Sequence, residues 1–385
     1  MSKRLKNFAA PLLAVLAFMA PNELYSATQT WVGGGTGNNW RQGGNWASSL
    51  IPAVGDDIVF AGTNRPNPNN NNSAAQGVFS SITFNSTATN FTITGGTNSP
   101  LTFSNGIINN SVNTQTFNNL IILGSSNVTV AASSGNISLL QAVGDAGAGR
   151  GITKTGDATL TLSGTNTYTG ATTVSAGTLT IGSTGSVSGS SLLDVASGAT
   201  LNVSAVTGGF VVGNSQTLRG SGTVAGNTTV NGALQPGNSP GLLSFNNNLT
   251  LGNTAVTTME INNTGTRGMV YDAINVGGSL TYDGSLLLTL GTTFAAGSYS
   301  FDLFDFGSQT GSFDFVTLGG NYTGSLVNDG SPTNWGLTSG AETWIFNQST
   351  GVLALNVVPE PSPLALSSLG LLALAVSALR KRRQP

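Results

Sequence analysis

The chain of 385 residues contains no cysteine and no histidine. Without cysteine there is no disulfide framework, no thiolate nucleophile and no zinc site of the common thiolate kinds. Without histidine the commonest general base and the usual transition-metal ligand are missing, and a Ser–His triad cannot be assembled. Charge is scarce as well, and the basic residues crowd the two ends. Between residues 28 and 358 the only basic residues are Arg41, Arg65, Arg150, Lys154, Arg219 and Arg267, whereas of the fifteen acidic residues only Glu23 and Glu360 fall outside. An acidic body with six scattered cations cannot form the basic stripe that nucleic acid requires, so a nucleic-acid partner is excluded. No cofactor or metal is expected. No Walker or dinucleotide glycine pattern sits between a strand and a helix, and no calcium-binding glycine–aspartate repeat occurs.

Threonine, valine, isoleucine, leucine and phenylalanine in short runs, punctuated by glycine and asparagine, make up most of what remains. This is β composition with turn punctuation, and helical periodicity is absent between residues 28 and 358. The clearest unit is residues 151–182, GITKTGDATLTLSGTNTYTGATTVSAGTLTIG. Within it ATLTL (158–162), ATTV (171–174) and GTLTI (177–181) alternate apolar with small or polar residues, which puts the apolar side chains on one strand face. Weaker echoes follow at GATLNV (198–203), GTV (222–224), TTV (228–230), GAL (232–234) and LTL (249–251). Strands this short cannot bury an apolar face alone, but stacked coils can. The expected fold class is therefore all-β, a parallel β-solenoid, with a β-sandwich as the alternative.

Residues 151–182 resemble the autotransporter-associated β-strand repeat, a passenger-domain unit. The likeness rests on Lys154-Thr155-Gly156, on LTLSG at 160–164, on Asn166-Thr167-Tyr168 and on Gly170. It continues in Gln235-Pro236-Gly237-Asn238-Ser239-Pro240-Gly241 and on through Tyr271-Asp272 to Leu290. The resemblance implies a right-handed parallel β-helix exposed outside the cell. The membrane barrel that ends an autotransporter has no counterpart here, so the chain is not expected to be its own outer-membrane transporter.

Both ends read as targeting segments. Lys3, Arg4 and Lys6 precede an apolar run at residues 8–20, the pattern of a secretory signal peptide whose helix is removed near residue 27. At the other end Val358-Pro359-Glu360-Pro361-Ser362 leads into an uncharged stretch at 364–379 and then Arg380-Lys381-Arg382-Arg383. As a helix this hydrophobic stretch would be about 24 Å long, short of the ~30 Å hydrocarbon core. The two basic clusters stay on the cytoplasmic side, which loops everything between them across the membrane. The three-part tail resembles the PEP-CTERM sorting signal of Gram-negative bacteria. That resemblance implies export through signal peptidase and the general secretion machinery, transient inner-membrane insertion, and processing by an exosortase-type enzyme.

The expected organisation is a signal peptide (1–27), a β-solenoid (28–292), a small C-terminal β cap (293–358) and the sorting signal with its short transmembrane helix (359–385). In the cap, YSFDLFDF (299–306) and FDFV (313–316) set a buried aromatic face against an acidic one. Asp302, Asp305 and Asp314 are the tempting carboxylates, but on such strands they face solvent. Asp56-Asp57 reads as a solvated turn rather than a cation site, and Lys154 as part of the repeat. The cluster Trp31, Trp40 and Trp46 has two readings: a cap over the open end of the solenoid, or a sugar-stacking platform. The expected function is that of an exported cell-surface or extracellular-matrix structural or adhesive protein, linked to exopolysaccharide or biofilm, and not an enzyme. A polysaccharide-active β-helix enzyme and a non-catalytic glycan-binding module are the alternatives.

Overall fold

A computed structural model describes residues 26–359, apart from 96–98, 126, 239 and 331–333. The signal helix, the sorting motif from Glu360 onward, the hydrophobic helix and the basic tail lie outside the described residues. Among those described, helix is confined to the turn Gly43–Asn45, and no helix is long and apolar enough to cross a membrane.

The alternation seen in the sequence sets the packing. In Thr159–Leu162 and Thr178–Ile181 every second residue is buried. Parallel pairing then aligns Leu160 with Leu179, Leu201, Val224, Phe245 and Val276 in one inward column. Each such side chain contributes on the order of 1.5–3 kcal/mol by leaving water. The neighbouring residues Thr159, Thr178, Thr200, Thr223, Ser244 and Asn275 form the matching outward column. A polar ladder outside and an apolar column inside follow from the period-two pattern.

Between successive members of this sheet the chain visits a second one. There Ile152, Thr172, Leu193, Leu218, Leu234, Thr257, Leu286 and Val316 align inward. From Phe210–Val212 onward a further parallel run appears, through Thr228–Val230 and Leu249–Leu251 to the second half of Ala273–Tyr282. The chain thus winds in coils of roughly twenty to thirty residues, each closing its hydrogen bonds on the coils above and below. The result is an all-β, β-helix-like stack with long parallel sheets. A sandwich would need antiparallel neighbours. From Thr28–Trp31 to Phe315–Gly320 the strand pairings are parallel, apart from those made by Gly297–Asp302 and by Phe315–Gly320 with the strand after it.

The pairing does not change at residue 293. Phe304–Gly311 and Phe315–Gly320 still lie parallel to Ala273–Tyr282 and Ser285–Leu290. Antiparallel pairing is made by Gly297–Asp302, Gly324–Asn328, Asn334–Ser339, Glu342–Asn347 and Val352–Val357, which close the end of the stack. The FDFV alternation also breaks. Phe313 is buried, but Phe315 is 64% exposed, because the strand begins at Phe315 and turns Val316 and Leu318 inward instead.

Candidate functional site

The residues that carry the repeat signature are spent on holding one coil to the next. Lys154 is fully buried, and its ammonium donates to the carbonyl oxygens of Thr155 (3.0 Å), Gly156 (2.7 Å) and Ala176 (3.0 Å). Burial lowers Lys154 to about 8, against partial opposition from the charge of Asp157. Gly156 has φ +77°, and a Cβ there would sit 2.4 Å from the Ala132 carbonyl oxygen, so only glycine lets the coils approach. Asn166 accepts from Val143 N and donates to Ser186 O, at 2.9 Å each, which stitches three coils together. The buried Tyr168 hydroxyl lies 2.7 Å from Thr172 Oγ1, which donates to Ser190.

Asp145 is a clamp of the same kind that nothing in the sequence signalled. It is 1% exposed. It accepts from Gly147 N (2.9 Å), Arg150 N (3.1 Å), Thr169 N (3.1 Å) and Thr169 Oγ1 (2.8 Å). Burial alone would raise its pKa, but these donors outweigh it and hold the carboxyl at about 2. The folded value lies below the ordinary 3.8, so the stabilisation is fully present above pH 3.8 and is lost as pH falls through about 2. Asp145→Asn, which turns an amide N–H toward backbone donors, is expected to lose on the order of 2 kcal/mol at neutral pH. Denaturant midpoints of the two proteins should differ most at pH 4 and above and converge toward pH 2. A gap that does not depend on pH would contradict the clamp.

The tryptophans are not a platform. Trp31, Trp40 and Trp46 are 0–1% exposed, packed edge to face (Trp31–Trp46 5.2 Å, Trp40–Trp46 5.7 Å) over Phe60. Trp46 Nε1 donates to the Trp40 carbonyl at 2.6 Å. No ring face is open to a sugar, so the platform reading is overturned and the rings plug the first coil. Asp56 is no solvated turn either: it is buried and accepts from Ala27 N (3.0 Å) and Ala53 N (2.9 Å). Asp57, on the opposite side, takes the Ser26 and Ser81 hydroxyls. Asp302, Asp305 and Asp314 are exposed, and Asp302 lies 3.5 Å from Arg267 Nε. Among the described residues no group of acids is placed to hold a metal ion. Of the sorting motif, only Val358 and Pro359 are described, and both are exposed.

Two clefts remain. One, of about 300 Å³, lies by Phe294, Tyr322, Leu337, Glu342 and Trp344. Its aromatic rings form walls rather than a platform: Trp344 is fully buried, and the Tyr322 hydroxyl accepts from Phe294 N at 2.8 Å. The other, of about 280 Å³, opens on the outer face of the second sheet between Arg219, Gln235, Asn238, Thr258, Glu260 and Asp272. Parallel register stacks Asp194, Arg219 and Gln235 in consecutive coils. Arg219 grips Asp194 through Nε (3.0 Å) and Nη2 (2.8 Å). Asp272 is 2% exposed and accepts from Gly241 N and Glu260 N, at 2.8 Å each. Burial pushes it up to about 7, with a smaller push from Glu260 and opposition from the two backbone donors. It fixes the cleft wall, each carboxyl oxygen held by one backbone N–H. The sequence places these residues tens of positions apart, and only the coil register brings them together.

Residues 152–181 match the model of the Passenger-associated-transport-repeat family. The match is to one repeat and covers that segment of the chain; it marks an autotransporter-passenger-like, surface-exposed protein. No curated protein matches the chain.

Proposed function

We propose that the protein is an exported structural or adhesive component of the cell surface or extracellular matrix of a Gram-negative bacterium. In this reading signal peptidase removes the first segment. The tail from Val358 inserts briefly in the inner membrane and is processed by an exosortase-type enzyme, and the body is linked to exopolysaccharide. The observation that carries the reading is the use made of the passenger repeat. Lys154, Gly156 and Asn166 serve coil-to-coil cohesion and Tyr168 holds Thr172 within its coil, while the outward positions carry hydroxyls and amides in register. Such a face presents a hydrogen-bonding side chain at every coil, ~4.8 Å apart.

A polysaccharide-active enzyme is the second reading. Cleaving a glycosidic bond takes two carboxyl groups that reach the sugar. In the polar cleft Asp272 is 2% exposed and held through both oxygens by backbone N–H groups, which leaves Glu260 as the carboxyl open to a sugar. That favours a non-catalytic role. A strain lacking the gene is expected to show altered cell aggregation and reduced retention of matrix polysaccharide, with restoration on complementation. Aggregation and matrix indistinguishable from the parent strain would overturn the proposal.

A further inference from the structure

The cleft beside Arg219 concentrates hydrogen-bonding groups that the fold leaves unused. Glu260, Gln235, Asn238 and Thr258 make no side-chain hydrogen bond to another described residue, and Arg219 keeps Nη1 free while its other nitrogens hold Asp194. The backbones of Gln235, Thr258 and Glu260 are nonetheless fixed by strand pairing. Gln235 and Thr258 sit on the paired strands Ala233–Pro236 and Val256–Ile261, and Asp272 ties the Glu260 backbone to the wall.

The cleft is lined by donors and acceptors together, and that restricts the ligand. Arg219 Nη1 and the two amide NH2 groups donate; the Glu260 carboxylate, the Thr258 hydroxyl and the amide oxygens accept. A phosphate only accepts, and it or the carboxylate of a uronate would meet Glu260. An ammonium only donates, and would meet Arg219. Neighbouring hydroxyls on an uncharged sugar ring do both. The volume, about 280 Å³, is at the small end for ligand sites and holds one sugar residue.

We infer that this cleft binds one residue of a neutral, hydroxyl-rich polysaccharide, and that it is the point at which the body holds a matrix glycan. The inference rests on the matrix reading above for its biological setting, and on the cleft alone for its chemistry. With no exposed aromatic ring in the lining, affinity at a single site falls in the millimolar range, about −4 kcal/mol.

The test uses the protein recovered from its producing cells, titrated with cellohexaose, maltohexaose and chitohexaose, with polygalacturonate as the anionic comparison. Saturable binding of at least one neutral hexamer and none of polygalacturonate is expected. Glu260→Gln and Gln235→Ala should each weaken that binding about tenfold or more at unchanged thermal midpoint. Ser325→Ala, exposed on the antiparallel strand Gly324–Asn328 and away from the cleft, should leave it intact. Binding untouched by both cleft substitutions, no binding of any neutral hexamer, or preference for polygalacturonate would each overturn the inference. These outcomes are separable from failure of the matrix reading, which shows instead as a normal matrix in the deletion strain.

Discussion

Lys154→Met is expected to destabilise the protein by about 3 kcal/mol, with the loss centred on the coils around residues 152–181. Two effects compete. Removing an ammonium from a buried site relieves a desolvation cost, the same cost that lowers Lys154 to about 8. Against this, the Thr155, Gly156 and Ala176 carbonyls lose their shared donor. Three half-buried acceptors at roughly 1 kcal/mol each outweigh the relief, since methionine matches the chain length but offers no proton. Denaturant unfolding gives the total, and amide exchange gives the place: protection should fall first in Gly151–Thr155 and Thr178–Ile181. Thr180→Ala, a half-buried outward position, is the comparison and should shift stability by less than about 0.5 kcal/mol. A methionine variant as stable as the parent would show that the lysine is tolerated rather than required.

Trp46→Ala is expected to cost about 3–5 kcal/mol, the range for emptying a large buried aromatic site. The indole contacts Trp31, Trp40 and Phe60, and its N–H satisfies the Trp40 carbonyl. Its loss therefore leaves a cavity and an orphaned acceptor together. It also uncovers the apolar layer of Phe60, Phe84 and Phe91 beneath the plug. Size-exclusion chromatography should then show self-association of the variant, since an open end of a parallel stack offers unpaired strand edges. Glycan binding per folded molecule should be unchanged, which separates the plug from the cleft. Parent-like stability with lost sugar binding would restore the platform reading.

The fold was largely legible because its signal is local. Thr-Leu-Thr-Leu at 159–162 declares its buried face by alternation alone, and it pairs as that alternation requires. The passenger-type repeat was legible through Lys154, Gly156 and Tyr168, although their reasons were not. A lysine in a sequence does not show that three carbonyls wait for it. Tryptophans among glycines read equally well as plug or platform, because burial depends on what covers them, here Phe60 from another coil. Phe315 misled because alternation across Asp314 assumes one continuous strand, and the strand starts afresh at Phe315. The cleft was invisible for a related reason. Arg219, Gln235 and Glu260 become neighbours only through coil lengths that vary, and composition does not fix those lengths.

The plug at Trp31, Trp40 and Trp46 and the antiparallel sheet ending at Val352–Val357 lie at opposite ends of the stack. Tension applied between those ends loads the coils in series. Detaching one coil breaks only its own short ladder and releases roughly twenty residues, about 70 Å of extended chain, before the next is strained. A body built this way yields stepwise and dissipates work, and its two locked ends set the force at which the first step begins. On the surface role proposed above, the stack serves as a shock absorber as much as a scaffold.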